Sequence, residues 1–176
     1  IICGYSLDDF ADTNWDYGLE KIRIYWGDGT STFNFINGFT DLTSTSNPYI
    51  GANSVGTSVL GIGIFDYDND GDFDIVSSVT PNYGGYLLQL YEQTNTREFV
   101  DVTSSKFDVF TKSFPRNQGS DGDFPNFYYP RFYDKDDDGD FDIVPDGLAT
   151  WGSNQYVNNL YWENIGGQFI KRESNY

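Results

Sequence analysis

The stretch FDYDNDGDFDIV, Phe65 to Val76, returns almost unchanged as YDKDDDGDFDIVP, Tyr133 to Pro145. Asp66 recurs as Asp134, 68 residues on, and each copy is followed by a second matching segment. LQLYEQTNTREFVDVT, Leu88 to Thr103, is answered by NLYWENIGGQFIKRE, Asn159 to Glu173, so that Tyr91 and Phe99 align with Tyr161 and Phe169. A further copy lies near the start. IRIYWGDGTSTFNF, Ile22 to Phe35, sets Tyr25, Trp26 and Phe33 at twice that period before Tyr161, Trp162 and Phe169. Self-similarity at a fixed period of this kind marks a repeat architecture.

Each unit reads as four short strands. In the second unit Val59–Phe65 enters the acidic stretch, Phe73–Val79 leaves it, and Gly85–Glu92 and Thr96–Val102 follow. Thr94 and Asn95 supply the reversal between the last two, since short polar side chains bond to their own backbone there. In the third unit the strands are FYYPRFY, FDIVP, NNLYWE and QFIKRE, with glycine in the turn Asn164 to Gly167. Apolar runs of four to seven residues carry no sustained helical period. Four-stranded units at constant spacing predict an all-β chain of antiparallel β-propeller blades, about two and a half of them. The blades divide as 1–47 (incomplete), 48–115 and 116–176. A propeller closes with about 4–8 blades, so a partial ring is expected, completed by further blades of a longer chain or by other copies. The faces expected to make such contacts carry Ile22 and Ile24 at one end and Leu160, Trp162 and Phe169 at the other.

Composition narrows the chemistry. Among 176 residues, 27 are Asp or Glu and 10 are Lys or Arg, a formal charge of -17, so a phosphate backbone is not the expected partner. The chain has no histidine and one cysteine, Cys3, which excludes His-ligated zinc, histidine catalysis and an internal disulfide. No run of 18 apolar residues suggests a membrane-spanning helix. Aromatic residues at 19% argue for a packed core despite the acidity.

Asp66, Asp68, Asp70, Asp72 and Asp74, with Gly71 between them, correspond to Asp134, Asp136, Asp138, Asp140 and Asp142 around Gly139. Carboxylates at loop positions 1, 3 and 5 converge when the loop curls, and glycine at 6 permits the sharp turn. Those features match a hard cation held by six to eight oxygens, and calcium in two sites is the expected cofactor. Asp72 and Asp140, at position 7, are expected to give backbone oxygen. An EF-hand would close with Glu at position 12, between helices. Here position 12 is Ser77 or Pro145 between strands, so Asp74 and Asp142 at position 9 are the expected closing ligands. The alternative is a solvated acidic turn. Five carboxylates within nine residues repel one another, which opposes a compact loop without a cation.

The pattern Asp-x-Asp-x-Asp-Gly-x-x-Asp, followed by LYWENIGGQF from Leu160 to Phe169, resembles the FG-GAP/VCBS class of propeller repeat. Similar repeats build the integrin alpha-subunit propeller and occur in many secreted microbial proteins. The resemblance covers most of the chain from about Ile22. It implies that the loop joins the two innermost strands of a blade, with Asp66, Asp68, Asp70 and Asp74 and their partners Asp134, Asp136, Asp138 and Asp142 as calcium ligands. It also implies an extracellular or cell-surface location.

Other residues weigh less. Trp26 and Trp162 sit at repeat-equivalent positions and are expected to pack blades together, whereas Trp15 and Trp151 lie in polar connections that suit a ligand surface. Asp121 and Asp123 offer a further cation loop, against a plain solvated connection. Cys3 reads as part of the second strand of the incomplete first unit, against a lipidated remnant. The expected function is non-catalytic: a calcium-stabilised binding or adhesion module for a protein or glycan partner. The alternatives are the propeller portion of a secreted carbohydrate-processing enzyme and a purely structural assembly module.

Overall fold

The computed structural model describes residues 2–5, 21–27, 29, 38–46, 57–81, 85–113, 129–146 and 160–173. These form three antiparallel sheets, none closed into a barrel. The first sheet comprises β1 (Ile2–Tyr5), β2 (Lys21–Tyr25) and β3 (Phe39–Leu42) in sequential order. The second has β4 (Thr57–Phe65), β5 (Asp74–Pro81), β6 (Gly85–Asn95) and β7 (Glu98–Asp101). A single helical turn, α1 (Thr103–Lys106), then leads to β8 (Thr111–Ser113), which also pairs with β6. The third sheet comprises β9 (Tyr129–Tyr133), β10 (Asp142–Asp146), β11 (Leu160–Asn164) and β12 (Phe169–Glu173). Among the described residues no helix is long and apolar enough to cross a membrane.

The sheets stack face to face, and strand alternation explains how. Ile75 and Tyr91 are cross-strand partners on one face of the second sheet, where they pack with Ile22, Ile24 and Leu42 of the first. Val76 and Leu90 are partners on the opposite face, where Phe65 and Leu88 join them against Ile143, Trp162 and Phe169 of the third. A sheet covered on both sides needs apolar residues on both, so Leu87, Leu88, Leu90 and Tyr91 are all buried along one strand. The polar pair within this layer satisfies itself: Ser77 Oγ donates to Gln89 Oε1 at 3.1 Å.

Close approach between the second and third sheets depends on Gly63. A Cβ built there would lie 1.8 Å from Phe132 Cε2, because the Phe132 ring occupies the place of a side chain and stacks on Phe65 at 4.7 Å. Trp162 is wholly buried and donates its indole N–H to the Val109 carbonyl at 2.6 Å. Trp26, half-buried, stacks on Phe99 at 6.3 Å across the other sheet boundary. Both tryptophans therefore pack sheets together. Cys3 lies in β1, beside the strand that carries Tyr25.

Four sequence expectations require correction. The strand paired with β2 is Phe39–Leu42, with Tyr25 opposite Phe39; Phe33 lies outside the described residues. Tyr91 is not the counterpart of Tyr161, because Ile75 pairs with Tyr91 while its equivalent Ile143 pairs with Trp162. A β-bulge between Gln93 and Asn95 absorbs the odd residue. The fourth strand of the second unit forms as β7, but a fifth that the sequence reading lacked, β8, follows α1 and also pairs with β6. Finally, Ile22, Ile24, Trp162 and Phe169 are not end faces; they are 0–3% exposed, buried between neighbouring sheets of this chain.

Two aspartate-centred straps tie the sheets. Asp101, at the end of β7, receives Ser44 Oγ at 2.9 Å, the Thr45 and Ser46 amides at 2.7 and 2.9 Å, and Ser46 Oγ at 3.1 Å, all from the segment after β3. The Thr103 amide and hydroxyl also donate to it, at 3.0 and 2.5 Å. Burial raises the Asp101 carboxyl, but these donors outweigh it and hold the group below the usual carboxylate range. Farther on, the Asp108 amide donates to the Phe169 carbonyl at 3.1 Å, and Asp108 Oδ1 accepts the Lys171 amide at 2.9 Å, joining the second unit to the third sheet.

Candidate metal centre

Each acidic loop connects the first two strands of a sheet, and the two loops are built by the same bonds. At position 1, Asp66 accepts the Asp70 amide at 3.1 Å and the Gly71 amide at 3.0 Å. Asp134 accepts the Asp138 and Gly139 amides at the same two distances. At position 5, Asp70 accepts the Asp72 amide at 2.9 Å, and Asp138 accepts the Asp140 amide at 3.1 Å. Position 4 is left-handed in both, with Asn69 at φ 60° and Asp137 at φ 63°. Position 6 is left-handed too, with Gly71 at φ 96° and Gly139 at φ 102°, and open space surrounds each. Glycine is thus required there by backbone conformation, not by crowding.

Position 9 anchors each loop to the core. Asp74 accepts the Tyr67 amide at 3.3 Å and the Gln93 amide of β6 at 2.9 Å. Asp142 accepts the Lys135 amide and the Asn164 amide of β11, each at 2.8 Å. Both carboxylates are buried. Burial pushes the Asp74 carboxyl up to about 6, against the pull of the two amides.

The carboxylates converge. One oxygen each from Asp66, Asp68 and Asp74, at positions 1, 3 and 9, lies within 4.8 Å of the others, and in the third sheet Asp134, Asp136 and Asp138, at positions 1, 3 and 5, form a comparable cluster. Among the described residues, Asp68 Oδ1 and Asp140 Oδ1 are almost wholly screened from solvent and find no hydrogen-bond partner. Burial and then Asp70 raise the Asp68 carboxyl; burial and then Asp138 push Asp140 up to about 6. Orphaned, crowded carboxylate oxygens lack positive charge, and an all-oxygen donor set fits a hard cation. The loops differ at position 7: Asp72 is exposed, whereas Asp140 is half-buried with its orphaned oxygen turned inward. Asp70 and Asp142 lie outside the two tight clusters. Trp15, Trp151, Asp121 and Asp123 lie outside the described residues.

Sequence reasoning missed the residues between the loops. Tyr67, at position 2, is buried, and its hydroxyl donates to Glu92 Oε2 at 2.6 Å. Asn164 is buried, and its side-chain amide reaches the Tyr67 carbonyl at 2.8 Å. Only the repeat position of Asn164, at the end of LYWEN, gave any signal. A cleft of about 270 Å3 opens between the loops, lined in part by Ile64, Asn69, Phe73, Asp140 and Phe141. Phe73 and Phe141 occupy the same loop position in the two units and are 67% and 49% exposed.

No family model, curated protein or solved structure matches the chain.

Proposed function

We propose that this chain is a calcium-stabilised segment of a β-propeller, of FG-GAP/VCBS type, that acts without catalysis as an extracellular binding or adhesion module for a protein or glycan. The observation that carries the reading is the pair of loops matched bond for bond, each containing a carboxylate oxygen screened from solvent and without a hydrogen-bond partner among the described residues. Face-to-face stacking of consecutive antiparallel sheets supports a propeller arrangement, because blades bury both faces against neighbours. Asp66, Asp68, Asp70 and Asp74 would hold one ion, and Asp134, Asp136, Asp138 and Asp142 the other. Bound calcium would supply the positive charge that these carboxylates lack. The chain's own part is to hold those oxygens in place: position 9 fixes the loop to the neighbouring strand, and position 6 supplies the turn. Because the clustered carboxylates serve as cation ligands, the reading assigns them no general acid or base role. The exposed Phe73 and Phe141 rings offer partner contact beside the loops.

The test is a calcium titration followed by melting temperature and by terbium luminescence. Calcium is expected to stabilise the protein with half-saturation in the range of about 10⁻⁴–10⁻³ M typical of extracellular modules, and magnesium to do so much less. Loops that take up neither calcium nor terbium at millimolar concentration would overturn the reading.

A further inference from the structure

The two loops are not independent. Lys135 donates its amide to Asp142, Asp142 accepts the Asn164 amide, and the Asn164 side chain donates across the sheet boundary to the Tyr67 carbonyl. Tyr67 in turn donates its amide to Asp74. A run of hydrogen bonds thus extends from position 2 of one loop to positions 2 and 9 of the other. Asp142, Asn164, Tyr67 and Asp74 are each at most 1% exposed, so solvent cannot readily replace any of these bonds.

The packing follows the same route. Asn164 Oδ1 accepts the Gly167 amide at 2.9 Å, closing the turn that lies against the first loop. A Cβ at Gly167 would lie 3.4 Å from Asp68 Cβ and 3.6 Å from the Tyr67 ring. The third sheet's turn therefore abuts the residue whose Oδ1 is orphaned. Tyr67 is flanked by Asp66 and Asp68, so displacement of its carbonyl moves two carboxylates of one cluster together.

We infer that Asn164 is a positioning residue that couples the two acidic loops, so that fixing the loop of the third sheet raises the cation affinity of the loop in the second. This rests on the calcium reading. The coupling is a thermodynamic one and acts equally in both directions.

The experiment is a double-mutant cycle on the full chain, with terbium and calcium as the probes. Asp134→Asn with Asp136→Asn disables the third-sheet loop, and is expected to weaken binding at the remaining loop about tenfold, within the range usual for coupled sites. In an Asn164→Ala background the same two substitutions are expected to change that affinity less than twofold, an outcome that a general loss of stability would not produce. A metal-free measurement keeps the idea testable by itself. Asp142→Asn is expected to speed hydrogen exchange at the Asp70 and Gly71 amides, which report closure of the other loop on Asp66. Unchanged affinity together with unchanged exchange would overturn the coupling. Altered exchange without binding of either ion would keep the coupling and overturn the calcium reading. Should Asn164→Ala fail to fold, the exchange measurement on Asp142→Asn decides the question.

Discussion

Single residues hold the sheet boundaries, and two of them make the clearest predictions. Gly63→Ala places a methyl group where the Phe132 ring lies, so the ring or a strand must move. The expected loss is about 1–3 kcal/mol, read by urea unfolding, and a smaller residue at 132 should recover part of it. Asp101 makes a second. Its folded pKa is lowered, so its contribution is complete above the unfolded value near ~3.9 and disappears as pH falls through the lower folded value. Asp101→Asn is therefore expected to cost about 1.5–3 kcal/mol at neutral pH and progressively less below about pH 4, seen as converging melting temperatures. A constant gap at all pH values would assign the loss to geometry alone. Neither residue was singled out from sequence. Gly63 looks like any strand glycine until a distant ring is placed on it, and four of the hydrogen bonds to Asp101 come from a segment 55–57 residues earlier.

At the scale of elements, the acidic loops were legible because their bonds are nearly all local: positions 1, 4, 5, 6 and 7 are determined within one turn of chain. Gly71→Ala or Gly139→Ala would force a side chain into left-handed backbone, at a cost of about 1–2 kcal/mol each. Each is expected to weaken cation binding at its own loop, measured by terbium titration. The four strands of the third unit and the order of the first four in the second were also legible, from apolar runs bounded by turns. What escaped was pairing at a distance. Asp41-Leu42-Thr43-Ser44 resembles Asp101-Val102-Thr103-Ser104, but at a spacing of 60 rather than 68, because the first hairpin is longer. A search at the loop period therefore passes over it. The bulge in the second hairpin hid the equivalence of Tyr91 and Trp162 in the same way. The fifth strand was invisible because Thr103 to Ser105 reads as an ordinary polar connection.

For the molecule as a whole, net charge bears directly on the proposed cation binding. A chain with a formal charge of -17 repels itself, most strongly where five or six carboxylates share one loop. Chelation is expected to lower the melting temperature, and calcium at 100 times its Kd to restore about 2.7 kcal/mol per site. Raising ionic strength should partly stabilise the metal-free protein by screening, while changing the calcium-loaded protein less. A melting temperature indifferent to chelator would make the loops ornaments on a fold that stands without them. Described residues on both faces of the middle sheet pack against neighbouring sheets, so damage to either boundary is expected to weaken the whole stack.

β6 is eleven residues long, but β7 pairs only with its second half, from Tyr91 to Asn95. Without β8 opposite Gly85 to Leu87, the remaining edge would offer unpaired amides and carbonyls beside a strongly apolar strand. Such an edge recruits strands from other molecules. The short segment that resumes after α1 thus guards against fibril-like association, and deletion of 111–113 alone is expected to be felt first as loss of solubility, before any loss of cation binding.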